Sequence, residues 1–439
     1  MSYAAAIQAL NAMTPELHTA PGHERRKFSL DQIRLLLAAL EDPQLRFPSV
    51  LIAGTNGKGS TASTLASILN ASGLRTGLYT SPHLERINER IRIGADEISD
   101  EVFARLYFQV KGAAESLLSA GQIPHLPSFF EFLTAIAFLY FSQQGIEIAV
   151  LEVGMGGRLD ATNVVEPLIS VITDISLDHT EWLGSTINAI AREKAGILRP
   201  GGVMVTLPQL AEANQALGEV AVALDVRGVN AAVYMPPMGI AASASYTVEA
   251  LGAAIEVHSP LSGSHQQRNV ALAIATAVEL AEKHGFSITP ASLSAGISST
   301  RWPGRFERLS VDGIDWVLDV AHNPAGAWAL RSGLNGLCGF DKSCTLIFSC
   351  LRDKPVVELA RILFPIFAQV ILAPLHSPRA ASLEELQGAA AEVGIETRRE
   401  DSIRSALELA RRSSSGGLVV VSGSVYLVGE ARSLLLKGF

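Results

Sequence analysis

Apolar residues fall into short unbroken runs that end in glycine, separated by longer stretches of helical period. "PSVLIAG" (Pro48 to Gly54) reads as a buried strand, and "STASTLASILNASG" (Ser60 to Gly73) as a helix stopped by glycine. "FFEFLTAIAFLYF", Phe129 to Phe141, predicts a buried helix; it carries Glu131 and falls short of the roughly 20 residues that span a bilayer. "IEIAVLEVG" (Ile146 to Gly154) and "PLISVITDIS" (Pro167 to Ser176) are further strands. Continuous Val/Ile/Leu runs suit parallel strands covered on both faces. Ligands on such sheets bind beyond the carboxyl ends of the strands, where the polar, glycine-rich segments of this chain fall.

The pattern changes at residues 203–260, which are Ala/Val-rich with little helical period and read as irregular strands. A strong helix returns at "HQQRNVALAIATAVELAEKHG" from His265. After "SSTRWPGRFERL" the alternation restarts with strand "WVLDVA", helix "NPAGAWALRSGL", and strands "CTLIFSC" and "GGLVVVSGS". The Trp-Pro-Gly turn in a polar stretch is a linker signal, so the domain boundary is placed near residues 298–304. Two domains, 1–298 and 299–439, also suit a chain of 439 residues.

Composition narrows the function classes. With 48% hydrophobic and 18% charged residues and a net charge of -8 without long single-sign runs, no general nucleic-acid or acidic-membrane surface is expected. The start has no basic segment followed by a long apolar core, so no signal peptide is read there. Cys338, Cys344 and Cys350 lack C-x-x-C spacing; their sparse, odd number suits reduced thiols in a cytoplasmic protein.

The candidate chemistry begins at "GTNGKGST", Gly54-Thr55-Asn56-Gly57-Lys58-Gly59-Ser60-Thr61. Glycines let backbone amides approach phosphate oxygens, a helix offers its positive N-terminal end, and Lys58 adds a point charge. The loop departs from G-x-x-x-x-G-K-[ST]: Ile52 stands at the first glycine position, and Gly59 where the metal-binding hydroxyl should follow the lysine. Glu152 closes a buried strand, where an isolated carboxylate is costly unless paired or bound to a cation. His179 follows another strand, in the same strand-end layer.

In order along the chain, "GTNGKGS", "TSPHLERINERI", "LEVGMGGRLDATN", "DHTEWLGSTINAIAREKAGI", "HQQRNVALA", "WPGRFE" and "LDVAHNP" resemble the motifs of folylpolyglutamate synthase/dihydrofolate synthase, in the Mur ligase superfamily. The resemblance implies an α/β fold: an N-terminal P-loop-type parallel-sheet ATPase domain carrying the folate site, and a smaller C-terminal Rossmann-like domain on the glutamate side. It implies an ATP-dependent amide ligase that adds L-glutamate to dihydropteroate, to tetrahydrofolate, or to both, through an acyl phosphate. ATP and two Mg²⁺ ions are the implied cofactors, and a cytoplasmic monomer without nucleic-acid or membrane partners is expected.

Carried over residue by residue, Gly54 to Thr61 hold the phosphates, with Lys58 on them and Ser60 supplying the displaced hydroxyl. Ser81, Glu152 and His179 match the magnesium ligands, although Mg²⁺ prefers oxygen to imidazole. Lys194 matches the lysine that is carbamylated in this superfamily, which turns a cation into an anion able to hold a second Mg²⁺. Asn269, Arg305 and Asp319 match ATP contacts; His322, a catalytic candidate, and Asn323 lie beside them. Ser128, Phe129, Phe130 and Glu131, with Leu159, Asp160 and Ala161, match the pterin side, where aromatic rings pack on a flat ring and carboxylates accept N–H groups. Bacterial bifunctional members often carry Thr at the position of Ser128; the hydroxyl is retained. The alternatives are a Mur-type ligase acting on a cell-wall precursor and a P-loop ATPase that forms no amide.

Overall fold

The computed structural model describes residues 2–13, 29–237, 245–335, 337–338, 344–413 and 417–438. Strands β1 (Ser49–Ala53), β2 (Thr76–Tyr79), β3 (Ile91–Ile93), β4 (Asp96–Glu97), β5 (Ile148–Glu152), β6 (Ile169–Ile172), β7 (Val203–Thr206) and β8 (Arg227–Asn230) form one sheet in the order β4-β3-β2-β5-β1-β6-β7-β8. Its six strands from β2 to β8 run parallel, and β3 and β4 add an antiparallel edge.

The period of two explains why these strands read as unbroken apolar runs. Val50 and Ile52 of β1 enter the core on one face, packed with Leu65 and Ile68 of the helix Lys58–Ala71; Leu51 and Ala53 enter the core on the other, with Phe132 and Ile136 of the helix Phe129–Gln144. Both faces being covered, no polar alternation survives. A hairpin, β9 (Tyr246–Ala250) and β10 (Ala253–Val257), and the long helix Ser264–His284 complete the core that Val50 and Ile52 enter.

The second sheet contains β11 (Glu307–Val311), β12 (Ile314–Asp319), β13 (Cys344–Phe348), β14 (Gln369–Leu372), β15 (Arg398–Arg399) and β16 (Leu418–Ser422), in the order β11-β12-β16-β13-β14-β15. It is parallel except for β11. Leu346, Phe348 and Val420 face one core; Trp316, Ile347 and Val421 face the other. The α/β class follows, with a large parallel sheet in the N-terminal part and a second sheet in the C-terminal part. No helix among the described residues is long and apolar enough to cross a membrane.

Two expectations are corrected. Residues 203–260 are not only irregular strands: the helix Ala211–Ala223 lies between β7 and β8. Its buried face is Ala213, Ala216, Leu217 and Ala221, so small residues blur the helical period. The three cysteines are not all free thiols either. Cys338 and Cys344 are joined in a disulfide with Cα atoms 5.7 Å apart, closing the short connection into β13. Cys350 remains a buried thiol, which burial pushes up to about 12.

Candidate active site

The carboxyl ends of the two parallel sheets face a common cleft of about 650 Å³. Leaving β1, the loop Gly54–Gly57 turns into the helix Lys58–Ala71. The Thr55 and Asn56 amides donate to the Asp174 carbonyl at 2.8 and 3.1 Å, and Thr55 Oγ1 donates to Ser176 O at 3.0 Å. The loop is thereby pinned to the segment after β6. Lys58 Nζ folds back onto the carbonyls of Gly54 and Thr55 at 3.1 and 3.2 Å, weak neutral partners that an anionic ligand can replace.

The structure also explains the irregular glycines. A Cβ on Gly57, whose φ is +90°, would lie 2.1 Å from Asn269 Oδ1; one on Gly59 would lie 2.7 Å from the Trp302 ring. The Trp302 indole thus occupies the space that the serine or threonine of a standard loop would need. Ser60, one residue on, lines the cleft, whereas Thr61 is buried outside it.

Ser81, Glu152, His179 and Lys194 line the same cleft. Glu152 is buried at the end of β5 and accepts the Ser81 amide at 3.0 Å. Burial raises its pKa, against the opposing pull of Lys58, that amide and Arg305. His179, in a left-handed conformation with φ 49°, is lowered to about 4, chiefly by burial, and is therefore a neutral imidazole. Lys194 is 3% exposed and donates to Gly54 O at 2.7 Å. Burial, then the charge of Lys58, lowers it to about 7, which leaves a substantial neutral amine fraction.

Among the described residues no three His, Cys, Asp or Glu side chains gather to form a ready-made metal cluster. Ser81, Glu152 and His179 are a sparse donor set. Such a set fits Mg²⁺, which keeps several waters and completes its shell with substrate phosphates.

The second domain contributes Arg305, Asp319, His322 and Asn323. Both Asp319 oxygens accept backbone amides, from Phe306 at 2.8 Å and Ala321 at 2.9 Å. Burial lowers the pKa of Arg305, against Asp319 and Glu152, whose charges favour the guanidinium. Asn269 Nδ2 donates to Gln266 Oε1 at 2.9 Å, which fixes its amide beside Gly57. His322 Nδ1 lies 2.9 Å from the Val320 carbonyl; a carbonyl only accepts, so Nδ1 carries the proton and Nε2 is left as an acceptor.

Sequence reasoning missed the two residues at the centre of this arrangement. Asp178 Oδ1 accepts from Lys354 Nζ at 2.9 Å, and its Oδ2 lies 3.8 Å from His179 Nε2 and 3.9 Å from His322 Nε2. Burial would raise Asp178, but His179, Lys354 and His322 together hold it well below the usual carboxylate range. Asn323 Nδ2 adds a bond to Asn56 Oδ1 at 2.9 Å, so the second domain touches the phosphate loop directly. Asp178 directly precedes His179 and Lys354 follows strand β13, so strand-end position was a signal available for both.

A second cavity, about 440 Å³, adjoins the first through Met155, Gly156 and Leu183, which line both. Ser128, Phe130, Glu131, Leu159, Asp160 and Ala161 line it; Phe129 does not, its ring lying 5.4 Å from the Arg90 guanidinium carbon. Ser128 and Glu131 form a capping box: Ser128 N donates to Glu131 Oε2 at 2.7 Å, and Glu131 N to Ser128 Oγ at 3.3 Å. Asp160 accepts from Thr162 N, Thr162 Oγ1 and Met155 N at 3.0, 2.6 and 2.9 Å. Both carboxylates therefore brace the cavity wall as well as lining it.

The model of the Mur ligase middle domain matches residues 129–277, and that of the Mur ligase glutamate ligase domain matches residues 304–425. With the cleft between two parallel sheets, these define the class as a Mur-type ligase. A folylpolyglutamate synthase of Lacticaseibacillus casei is 35% identical over the full length of both chains. A dihydrofolate synthase/folylpolyglutamate synthase of Bacillus subtilis is 34% identical, over 94% of this chain and 97% of the relative. The solved Mycobacterium tuberculosis folylpolyglutamate synthase complexed with ADP and AMPPCP superposes with a TM-score of 0.85 at 34% identity, covering 93% of this chain and 95% of that one. The chain belongs to the folylpolyglutamate synthase/dihydrofolate synthase family.

Gly59→Ser, which restores the standard phosphate-loop hydroxyl, is expected to cost about 1–3 kcal/mol through overpacking against Trp302. Adding Trp302→Leu should recover part of that loss. ADP titration calorimetry and thermal unfolding of the single and double variants check this; an unimpaired Gly59→Ser protein would contradict it.

Proposed function

We propose that the chain catalyses ATP-dependent formation of an amide between L-glutamate and the carboxylate of dihydropteroate, of a tetrahydrofolate, or of both. The observation that carries this reading is the pair of adjoining cavities: one walled by the glycine loop with Lys58 and Arg305, the other lined by Phe130, Leu159 and Trp182 together with the braced carboxylates of Glu131 and Asp160. A flat pteroyl group seated in the second cavity would send its carboxylate past Met155, Gly156 and Leu183 towards the phosphates. The relatives named as synthases of folate derivatives, and the neighbour that holds ADP and AMPPCP, support the same reading. They favour it over a cell-wall ligase or a simple ATPase.

A carboxylate is a poor electrophile until one oxygen becomes a leaving group. In this reading the γ-phosphoryl of ATP passes to the folate carboxylate, the glutamate amine attacks the acyl phosphate, and phosphate departs. The amides of Gly54 to Ser60 and Lys58 would cradle the phosphates, with Ser60 as the loop hydroxyl; Thr61, its amide bonded to the Gly57 carbonyl, would support the loop from behind. Asn269, Arg305 and Asp319 hold the nucleotide between residues 1–298 and residues 299–439, the proposed domains, so closure would keep water from the acyl phosphate. His322 presents its free Nε2 to the cleft, where it can accept a proton from the incoming amine. Ser81, Glu152 and His179 would hold Mg²⁺, with carbamylated Lys194 for a second ion, neutralising charge on the transferring phosphoryl. Ser128, Phe130, Glu131, Leu159, Asp160 and Ala161 would face the pterin, with Phe129 packing behind them. The modest net charge of -8, without long single-sign runs, supports the absence of a general nucleic-acid or acidic-membrane partner.

Purified protein with ATP and Mg²⁺ should release phosphate only when both glutamate and a pteroate substrate are present, and Lys58→Ala should abolish turnover in a folded protein. Hydrolysis indifferent to both substrates would sink the reading. Carbamylation gives a second test. Only neutral Lys194 adds to CO₂, forming an N–C bond and losing a proton, so the adduct is favoured as pH rises through about 7. Activity should fall in CO₂-depleted buffer and return with bicarbonate, more fully above that pH than below it; Lys194→Ala should lose this dependence. Turnover indifferent to CO₂ would exclude the carbamate.

A further inference from the structure

The loop leaving β2 is shared between the domains. At one end the Ser81 amide is bonded to Glu152 in the nucleotide cleft. Three residues on, Leu84 leaves the first domain's own cores and packs against the second domain's apolar cluster, which contains Trp316, Val320 and Val428. A Cβ on Gly429, in the helix Val425–Lys437, would come 1.9 Å from Leu84 O, so helix and loop meet backbone to backbone. Arg432, on the next turn of that helix, donates to Glu85 Oε1 at 2.7 Å and to both Glu307 oxygens at 3.0 Å.

Little slack exists between the two ends. The Glu89 carboxylate accepts the amides of Leu84, Glu85 and Arg86 at 2.7, 2.8 and 2.6 Å. Pro82 and His83 alone separate Ser81 from Leu84, and His83 Nδ1 accepts from Arg90 Nε at 2.9 Å. A braced segment with one end seated in each domain transmits displacement instead of absorbing it.

We infer that Leu84, seated against Gly429 and the second domain's core, is a positioning residue: docking of the second domain sets the placement of Ser81 beside Glu152, and so the metal-side geometry of the cleft. The inference rests on the ligase reading for its purpose. An acyl phosphate made in an open cleft would be lost to water, and a metal-side hydroxyl that falls into place only on docking ties phosphoryl transfer to closure. Leu84 itself touches neither of the two cavities.

Full-length Leu84→Ala and Leu84→Met proteins test it by calorimetric titration with ADP, with and without Mg²⁺, and by glutamate-dependent phosphate release across a Mg²⁺ series. Leu84→Ala is expected to need about tenfold more Mg²⁺ for the same gain in ADP affinity. Its kcat is expected to fall about tenfold through misplacement at the reacting centre. ADP affinity without Mg²⁺ should stay within about twofold, because Leu84 lines neither cavity and the loop Gly54–Gly57 is pinned instead to Asp174 and Ser176. Leu84→Met, which refills the seat with similar volume, should restore both Mg²⁺-dependent quantities. Wild-type Mg²⁺ dependence in folded Leu84→Ala, or an equal loss of Mg²⁺-free ADP binding, would overturn the coupling. If the wild-type protein shows no glutamate-dependent turnover, the ligase reading fails, and the binding titrations still decide the coupling.

Discussion

The Asp178–Lys354 ion pair is the contact on which the cleft depends. Each side chain is about a tenth exposed or less, and each comes from the strand-end layer of a different sheet. A buried pair of this kind adds little net stability, because desolvating both charges offsets much of their attraction; breaking it by removing one partner is costly. Its value is register. It fixes how two independently cored domains face each other, and it does so beside His179, His322 and Asn323. A polar contact can also separate and re-form in water more readily than an apolar one, which suits a cleft that must admit a nucleotide.

Around that pair, the cleft concentrates groups that are expensive to bury without a ligand. Glu152 accepts one amide, Lys58 and Lys194 lean on backbone carbonyls, and burial lowers the pKa of both His179 and His322. Donors and acceptors so weakly satisfied are poised for a stronger partner of opposite charge. Phosphates and a divalent cation supply both signs at once. The phosphate loop is meanwhile made rigid from outside, by Asp174 and Ser176 on one side and by Trp302 and Asn269 on the other.

Much of this was legible in the sequence because parallel strands covered on both faces leave an unmistakable mark. Val50 to Ala53 and Ile148 to Leu151 alternate between two cores without a polar residue, and their ends locate the cleft. The helix Ala211–Ala223 was illegible since alanine contributes so little to an apolar face. Long-range pairings left no local trace. Lys354 is 176 residues from Asp178, and the reason for Gly59 lies in the distant indole of Trp302. The Ser128–Glu131 capping box had the opposite problem: the S-x-x-E spacing was in plain view, and the same residues were read only for substrate contact.

The central claim is that residues of both domains act as one unit where Asp178 meets Lys354. A double-mutant cycle on glutamate-dependent turnover tests it most directly, with Asp178→Asn, Lys354→Met and the two combined. The account predicts that the double variant is little worse than the poorer single, a coupling of roughly 0.5–3 kcal/mol. Losses that simply multiply would show two residues working independently, and would contradict it.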